Sequence, residues 1–281
     1  MKEKYGKKIA SVVHLAAYYT FKGGNWEKYE QITIGGTRNL LEALSNFEVE
    51  QFLFSSTLLV YAPVAVGEKI REDSLVDPKW EYPLSKVKTE ELIQNRTLPA
   101  SSVIVRIARV YDDGCHSIPL SQQMKRIYEK KLESHFFPGN LKHGASFLHM
   151  EDLVSAVKKI VEKRKNLPRD ELFVLGEKTV LSYGELQEEM GRLLHGKKWA
   201  TFAIPKMMAK IGAQLQRLIP GSDVFIQPWM IDLADDHYDV DPKKAEEILG
   251  WEPVHKLKNC LPNMVEQLLK DPKKWLKEHH F

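Results

Sequence analysis

The sequence predicts an α/β fold: a parallel sheet covered by helices, with a smaller, mainly helical lobe toward the C-terminus. Residues 51–61 form a short apolar run that ends in the hydroxyls of Ser55, Ser56 and Thr57, the pattern of a parallel strand buried on both faces. Further apolar runs at 102–106 and 172–176 read as strands of the same sheet. Beyond 176 the apolar spacing turns helical, at 183–195, 204–218, 242–249 and 261–270. The expected organisation is therefore a core over residues 1–176 and a substrate lobe with tail over 177–281. No Pro/Ser-rich linker separates them, so the two should pack as one unit.

At 281 residues the chain is long enough to bury one large core. A net charge of +3, with no long basic block, argues against a nucleic-acid partner. No run approaches the roughly 18 apolar residues of a membrane helix. Lys2, Lys4, Lys7 and Lys8 ahead of an apolar run superficially resemble a leader, but His14 interrupts the run and no small-x-small cleavage site follows. Cys115 and Cys260 lie far apart and are expected as reduced thiols in a cytoplasmic protein.

In chain order, 9–17 reads as a strand with a small-residue end. Residues 26–47 hold a helix with Leu40, Leu41 and Leu44 at helical spacing. Gly35-Gly36 is no phosphate loop, because the third glycine of the dinucleotide pattern is missing and no helix begins there. A helical pattern covers 84–93. Residues 110–114 form a turn, 118–131 a helix, 134–139 a short strand and turn, and 147–163 a strand end with a helix. Glu151 and Asp152 near that helix start are explained by capping, and His149 as a structural residue. The basic tail should be a surface helix with Trp275 docked inward; the adjacent His279 and His280 point apart and make no metal site.

The chemistry lies between 55 and 86. Tyr82 and Lys86 are four residues apart, on one face of a helix, opposite hydroxyls at a strand end. An ammonium beside a phenol is expected to lower its pKa toward neutrality, so that Tyr82 could exchange a proton with a substrate carbinol or carbonyl. The same spacing at Tyr18/Lys22 lacks the hydroxyl-tipped strand and the following helix.

Six motifs occur in order: Val-Val-His-Leu-Ala-Ala (12–17), Gly-Thr-Arg-Asn-Leu-Leu-Glu-Ala (36–43), Phe-Ser-Ser-Thr-Leu-Leu-Val-Tyr (54–61), Tyr-Pro-Leu-Ser-Lys (82–86), Phe-Leu-His-Met-Glu-Asp-Leu (147–153) and Leu-Gly-Trp-Glu-Pro (249–253). Together they resemble the extended short-chain dehydrogenase/reductases, the NAD-dependent epimerase/dehydratase family, across nearly the whole chain. The resemblance implies a Rossmann-like sheet, NAD or NADP as cofactor, and Thr57, Tyr82 and Lys86 as the catalytic residues. It puts His14, Leu15, Ala16, Ala17, Ser55, Ser56, Tyr82, Lys86, Ala108 and Val110 on the cofactor, and Thr57 and Arg109 on the substrate. The family's Gly-rich strand–turn–helix would lie upstream of Met1, so the Rossmann-like core is expected to be N-terminally truncated and the strand at 9–17 to form a sheet edge open to self-association or a homodimer. Thr33 stands where the family often has an Asn that supports the catalytic Lys through water. Ala145 and Ser146 occupy a place where members acting on nucleotide sugars carry an Arg. With Val224, Phe225, Ile226, Trp229, Met230, Ile231 and Leu233 in a stretch free of Lys and Arg, a small or hydrophobic hydroxyl/carbonyl substrate is expected, without metal. The alternatives are a nucleotide-sugar epimerase/dehydratase, or a non-catalytic interaction protein built on the same core.

Overall fold

In a computed structural model of the chain, residues 6–20, 25–95, 100–216 and 227–280 are described. Lys22, Leu218, Val224, Phe225, Ile226 and Phe281 lie outside them. The central sheet has four parallel strands in the order β1-β2-β3-β7: β1 (Lys8–His14), β2 (Glu48–Thr57), β3 (Ser101–Ile107) and β7 (Asp170–Leu175). Thr57 pairs with Ile107, and Ile107 with Leu175, so these strands end level at the edge of the sheet that bears the hydroxyls.

β2 is buried continuously from Gln51 to Leu58, as its apolar run demands. Alternation sends its side chains to opposite faces. Phe52 and Phe54 pack with Leu41 and Ile93 on one side. Leu53 joins Val103, Val105 and Phe173 on the other, where Ala156, Ile160, Val240, Leu249 and Trp251 cover them. The helix expected at 26–47 runs from Trp26 to Leu44 as α1, but its middle, Tyr29–Gly35, is π-helical. One extra residue per turn is accommodated there, a feature that often marks functional sites. α2 (Glu81–Gln94) packs beside it.

The turn expected at 110–114 begins with a short strand, β4 (Arg109–Tyr111), paired in parallel with β6 (Phe147–His149). Between them come α3 (Ile118–Tyr128) and β5 (Phe136–Pro138). After β6 runs α4 (Met150–Glu162). The C-terminal stretch supplies α5 (Tyr183–His195), β8 (Phe202–Ile204) paired with β5, α6 (Lys206–Gln216), α7 (Pro228–Asp232), α8 (Lys243–Leu249), α9 (Leu257–Lys270) and α10 (Pro272–Glu278). A second core forms where Met124 and Ile127 of α3 meet Leu186 and Met190 of α5, Leu261 and Met264 of α9, and the buried Trp275. No helix among the described residues is long and apolar enough to cross a membrane.

Asp152 fastens the C-terminal stretch to the sheet. Its two carboxylate oxygens accept from the backbone N–H groups of Val254 and His255 at 3.2 and 2.9 Å, and its carbonyl accepts from the Trp251 indole at 3.0 Å. Its place near the start of α4 thus serves more than the helix dipole.

Replacing Asp152 by Ala leaves the part-buried N–H groups of Val254 and His255 without their acceptor and should cost about 1–3 kcal/mol in urea unfolding. Asn, which retains one acceptor oxygen, should lose about half as much; equal losses for the two variants would refute this account. A separate expectation concerns β1, which pairs only with β2 among the described residues and exposes Val13 and Leu15. An open strand edge invites pairing with another chain. Light scattering should detect concentration-dependent self-association that Val13→Lys suppresses, and a monomer at every concentration would contradict it.

Candidate active site

Three elements converge at the C-terminal ends of β2 and β3. Thr57 is the last residue of β2. Its hydroxyl accepts from Leu59 N at 3.3 Å, capping the short turn that follows. That leaves its proton free to face Tyr82, whose pKa the Thr57 hydroxyl acts to lower. Tyr82 sits in the first turn of α2, and Lys86 one turn further along the same face. Lys86 is only 2 % exposed, and its Nζ donates to the Ser55 carbonyl at 2.6 Å while lying 4.6 Å from the Phe54 ring centroid.

Burial brings the Lys86 pKa down to about 8, against the opposing charge of Glu90. Tyr82 moves the other way, pushed up to about 12 by burial, with Tyr29 adding to the rise and the Thr57 hydroxyl opposing it. The expectation that Lys86 lowers the phenol pKa is therefore corrected. Lys86 Nζ lies 5.8 Å from the Tyr82 ring centroid and is committed to the Ser55 carbonyl, so desolvation of the phenolate outweighs its field.

Beneath this pair lies a second one that sequence reasoning missed. Glu90, one more turn along α2, takes Arg106 of β3 in a two-pronged ion pair, Nη2 to Oε2 at 2.6 Å and Nε to Oε1 at 3.2 Å. Both side chains are under 10 % exposed, at 8 % and 4 %. The guanidinium also lies 4.6 Å from the Tyr61 ring centroid. Two signals were available: the i+4 spacing of Lys86 and Glu90, and a lone cation inside the apolar run at 102–106.

The site opens into a cleft of about 730 Å³. Of the residues expected at the cofactor or substrate, Leu15, Ala17, Ser55, Ser56, Thr57, Tyr82, Lys86, Ala108, Arg109 and Val110 line it. His14 and Ala16 are not on its lining. The His14 Nε2 hydrogen-bonds the Thr37 hydroxyl at 2.9 Å, and its ring lies against Phe52 and Phe54. Thr33, fully buried in the π-helical segment, accepts from Tyr18 N at 3.0 Å, and Lys86 donates to strand backbone instead. Arg109 acts on Tyr183, opposing the rise that burial gives its pKa. The expected Trp229, Met230, Ile231 and Leu233 do line the cleft. So do Tyr19 and Trp80, which were not foreseen: Tyr19 meets the Tyr82 ring edge-on at 4.7 Å, and Trp80 lies 4.7 Å from Trp229.

Asp113, His149 and Cys260 bring potential metal-ligand atoms together away from this cleft. His149 Nδ1 accepts from Glu151 N, which selects the tautomer with its proton on Nε2, the nitrogen 3.7 Å from Asp113. That nitrogen then has no lone pair for a metal.

Residues 2–176 match the model of the NAD dependent epimerase/dehydratase family. The chain is 26% identical to UDP-glucuronate 4-epimerase of Thermodesulfobacterium geofontis, over 96% of this chain and 73% of that protein. It is also 26% identical to dTDP-D-glucose 4,6-dehydratase of Dictyostelium discoideum, over 56% of this chain and only 39% of that one. Among solved structures, UDP-glucuronic acid 4-epimerase from Bacillus cereus, in complex with UDP-glucuronic acid and NAD, superposes with a TM-score of 0.70 at 21% identity, covering 92% of this chain and 76% of that one. RMD from Pseudomonas aeruginosa, complexed with NADPH, gives 0.66 at 18% identity, covering 92% and 80%. At these identities the structural likeness is one of fold.

The lowered pKa of Lys86 is directly measurable. Heteronuclear NMR of the lysine side chains should find one amine titrating near pH 8, absent from Lys86→Met, while exposed lysines titrate above 10. The folded chain releases this proton at lower pH than the unfolded chain does. Its charge therefore opposes folding at neutral pH, and that opposition fades as pH rises from about 8 through the unfolded value. A Lys86 amine that titrates with the others would refute the desolvation argument.

Proposed function

The chain belongs to the NAD dependent epimerase/dehydratase family, and from that premise we propose that it is an NAD(P)-dependent enzyme transferring hydride at a hydroxyl or carbonyl carbon of a small or hydrophobic substrate. The observation that carries this reading is the Thr57 hydroxyl, the Tyr82 phenol and the buried Lys86 one helical turn further on, all on one cleft. Thr57 would hold the reacting oxygen, and Tyr82 would take or give its proton.

The residues present suit a dinucleotide cofactor. The Ser56 hydroxyl is buried on the cleft wall without a hydrogen-bond partner, and Ala17 and Ala108 leave room beside it. Lys86 and Ser56 would hold the cofactor by its hydroxyls. The cofactor supplies the hydride donor or acceptor and, when oxidised, a positive charge. Such a charge would offset the desolvation that raises the Tyr82 pKa and make the phenol a better base.

The cleft walls favour an apolar substrate body. Tyr19, Trp80, Trp229, Met230 and Leu233 face it, and Ala145 and Ser146 bring no charge. Residues 177–281 would form the substrate lobe, with α7 supplying part of this wall. The relatives' names favour a second reading, a nucleotide-sugar epimerase or dehydratase, for which Arg109 would meet the phosphate. The unpaired thiols Cys115 and Cys260 suit a reducing, cytoplasmic setting.

Isothermal titration should show saturable binding of NAD or NADP. Lys86→Ala should weaken it by about tenfold or more, and Tyr82→Phe should leave it intact. In a dehydrogenase screen of alcohols and ketones, Tyr82→Phe should lower turnover by about two to four orders of magnitude, because it removes only the proton carrier. Absence of binding by either dinucleotide would favour a non-catalytic interaction protein. Near-normal turnover of the Phe variant would overturn the assignment of the proton carrier.

A further inference from the structure

The cleft has a second charged wall. On α3, Ile118, Pro119, Gln122, Gln123 and Arg126 line it, spaced so that one helix face runs along the cavity for two turns, about 12 Å. Arg126 stands at the end of that face. Glu133 and Ser134 line the cleft nearby.

Arg126 differs from the other two arginines at the site. Arg106 is locked to Glu90, and Arg109 faces the Tyr183 hydroxyl, whose pKa it acts to lower. The Arg126 side chain is partly buried, yet it makes no hydrogen bond or ion pair with any described residue. The Glu133 carboxylate acts on it only from beyond ion-pair distance, and desolvation holds its pKa below the usual guanidinium range. A cation in the last helical turn complements the helix dipole, but a side chain turned to solvent does that as well, as Lys125 beside it could. Turning the guanidinium into a cleft wall instead removes water from a charge without supplying a partner. Such an arrangement is costly unless an anion completes it. Five N–H donors in a rigid fork suit a carboxylate or phosphate.

We propose that Arg126 is an anion-binding subsite of the cleft. The substrate is then an amphipathic alcohol or ketone whose apolar body lies along Tyr19, Trp80 and Trp229 and whose oxyanion meets Arg126. This rests on the apolar-cleft reading above and adds the second pole that the reading lacks. Glu133 tempers the field of Arg126 and so discriminates against ligands that carry no full negative charge of their own.

Trp80 and Trp229 on the cleft wall provide a fluorescence signal that needs neither cofactor nor turnover. The probes are ω-hydroxydecanoate, hydroxydecyl phosphate and the uncharged decanediol. Wild-type protein should bind at least one of the two anions about tenfold or more tightly than the diol, and the anion with the larger preference identifies carboxylate or phosphate as the recognised group. Arg126→Gln should bring both anions to the affinity of the diol. Arg126→Lys should retain part of the preference, and Glu133→Gln should tighten anion binding several-fold. Equal binding of anions and diol by wild-type protein, or a preference that survives in Arg126→Gln, overturns the subsite while leaving the apolar cleft standing. Failure of all three probes to bind overturns the subsite and the apolar reading together.

Discussion

Lys86 carries a charge that is almost wholly withdrawn from water, and the head of the sheet is arranged around that fact. Its Nζ donates to the Ser55 carbonyl at 2.6 Å, and Glu90 supplies an opposing charge. Glu90 in turn cannot stand alone in the interior and is held by Arg106 from the neighbouring strand. Strand β3, helix α2 and the end of β2 are thus tied by one run of polar contacts through Lys86, Glu90 and Arg106. A shift of any of these elements would strand an ion in apolar surroundings, so the geometry of the site and the packing of the sheet are the same constraint.

That constraint separates the roles of the two titrating groups. Burial makes the charged lysine and the charged phenolate both unfavourable, so their pKa values, close together in free side chains, move apart here, Lys86 down to about 8 and Tyr82 up to about 12. The neutral phenol is therefore the favoured form of Tyr82 in this structure.

The cleft above the site joins residues that are distant in the chain. Tyr19 follows β1, Trp80 precedes α2, and Trp229 lies on α7, yet their rings form one aromatic wall beside Tyr82. The anchor that brings the C-terminal stretch back is Asp152, through the backbone of Val254 and His255. Cleft and fold therefore share a dependence on contacts between segments far apart in the chain.

The sequence by itself determined much of this. The apolar run ending at Thr57 could only be a buried strand, and the Tyr82–Lys86 spacing could only put both side chains on one helix face, because strand and helix periods are local properties of the backbone. The helix at 183–195 and the docked Trp275 were legible for the same reason. The tertiary structure decided what periodicity does not encode. The π-helical middle of α1, the Glu90–Arg106 pair, the turn of His14 toward Thr37 and the rise of the Tyr82 pKa all depend on what packs against each residue. Lys86 was readable as a partner for Tyr82, but whether its charge or the burial of the phenol prevails is a matter of distance and desolvation. Those are set by neighbours far away in the chain, and only the fold brings them together.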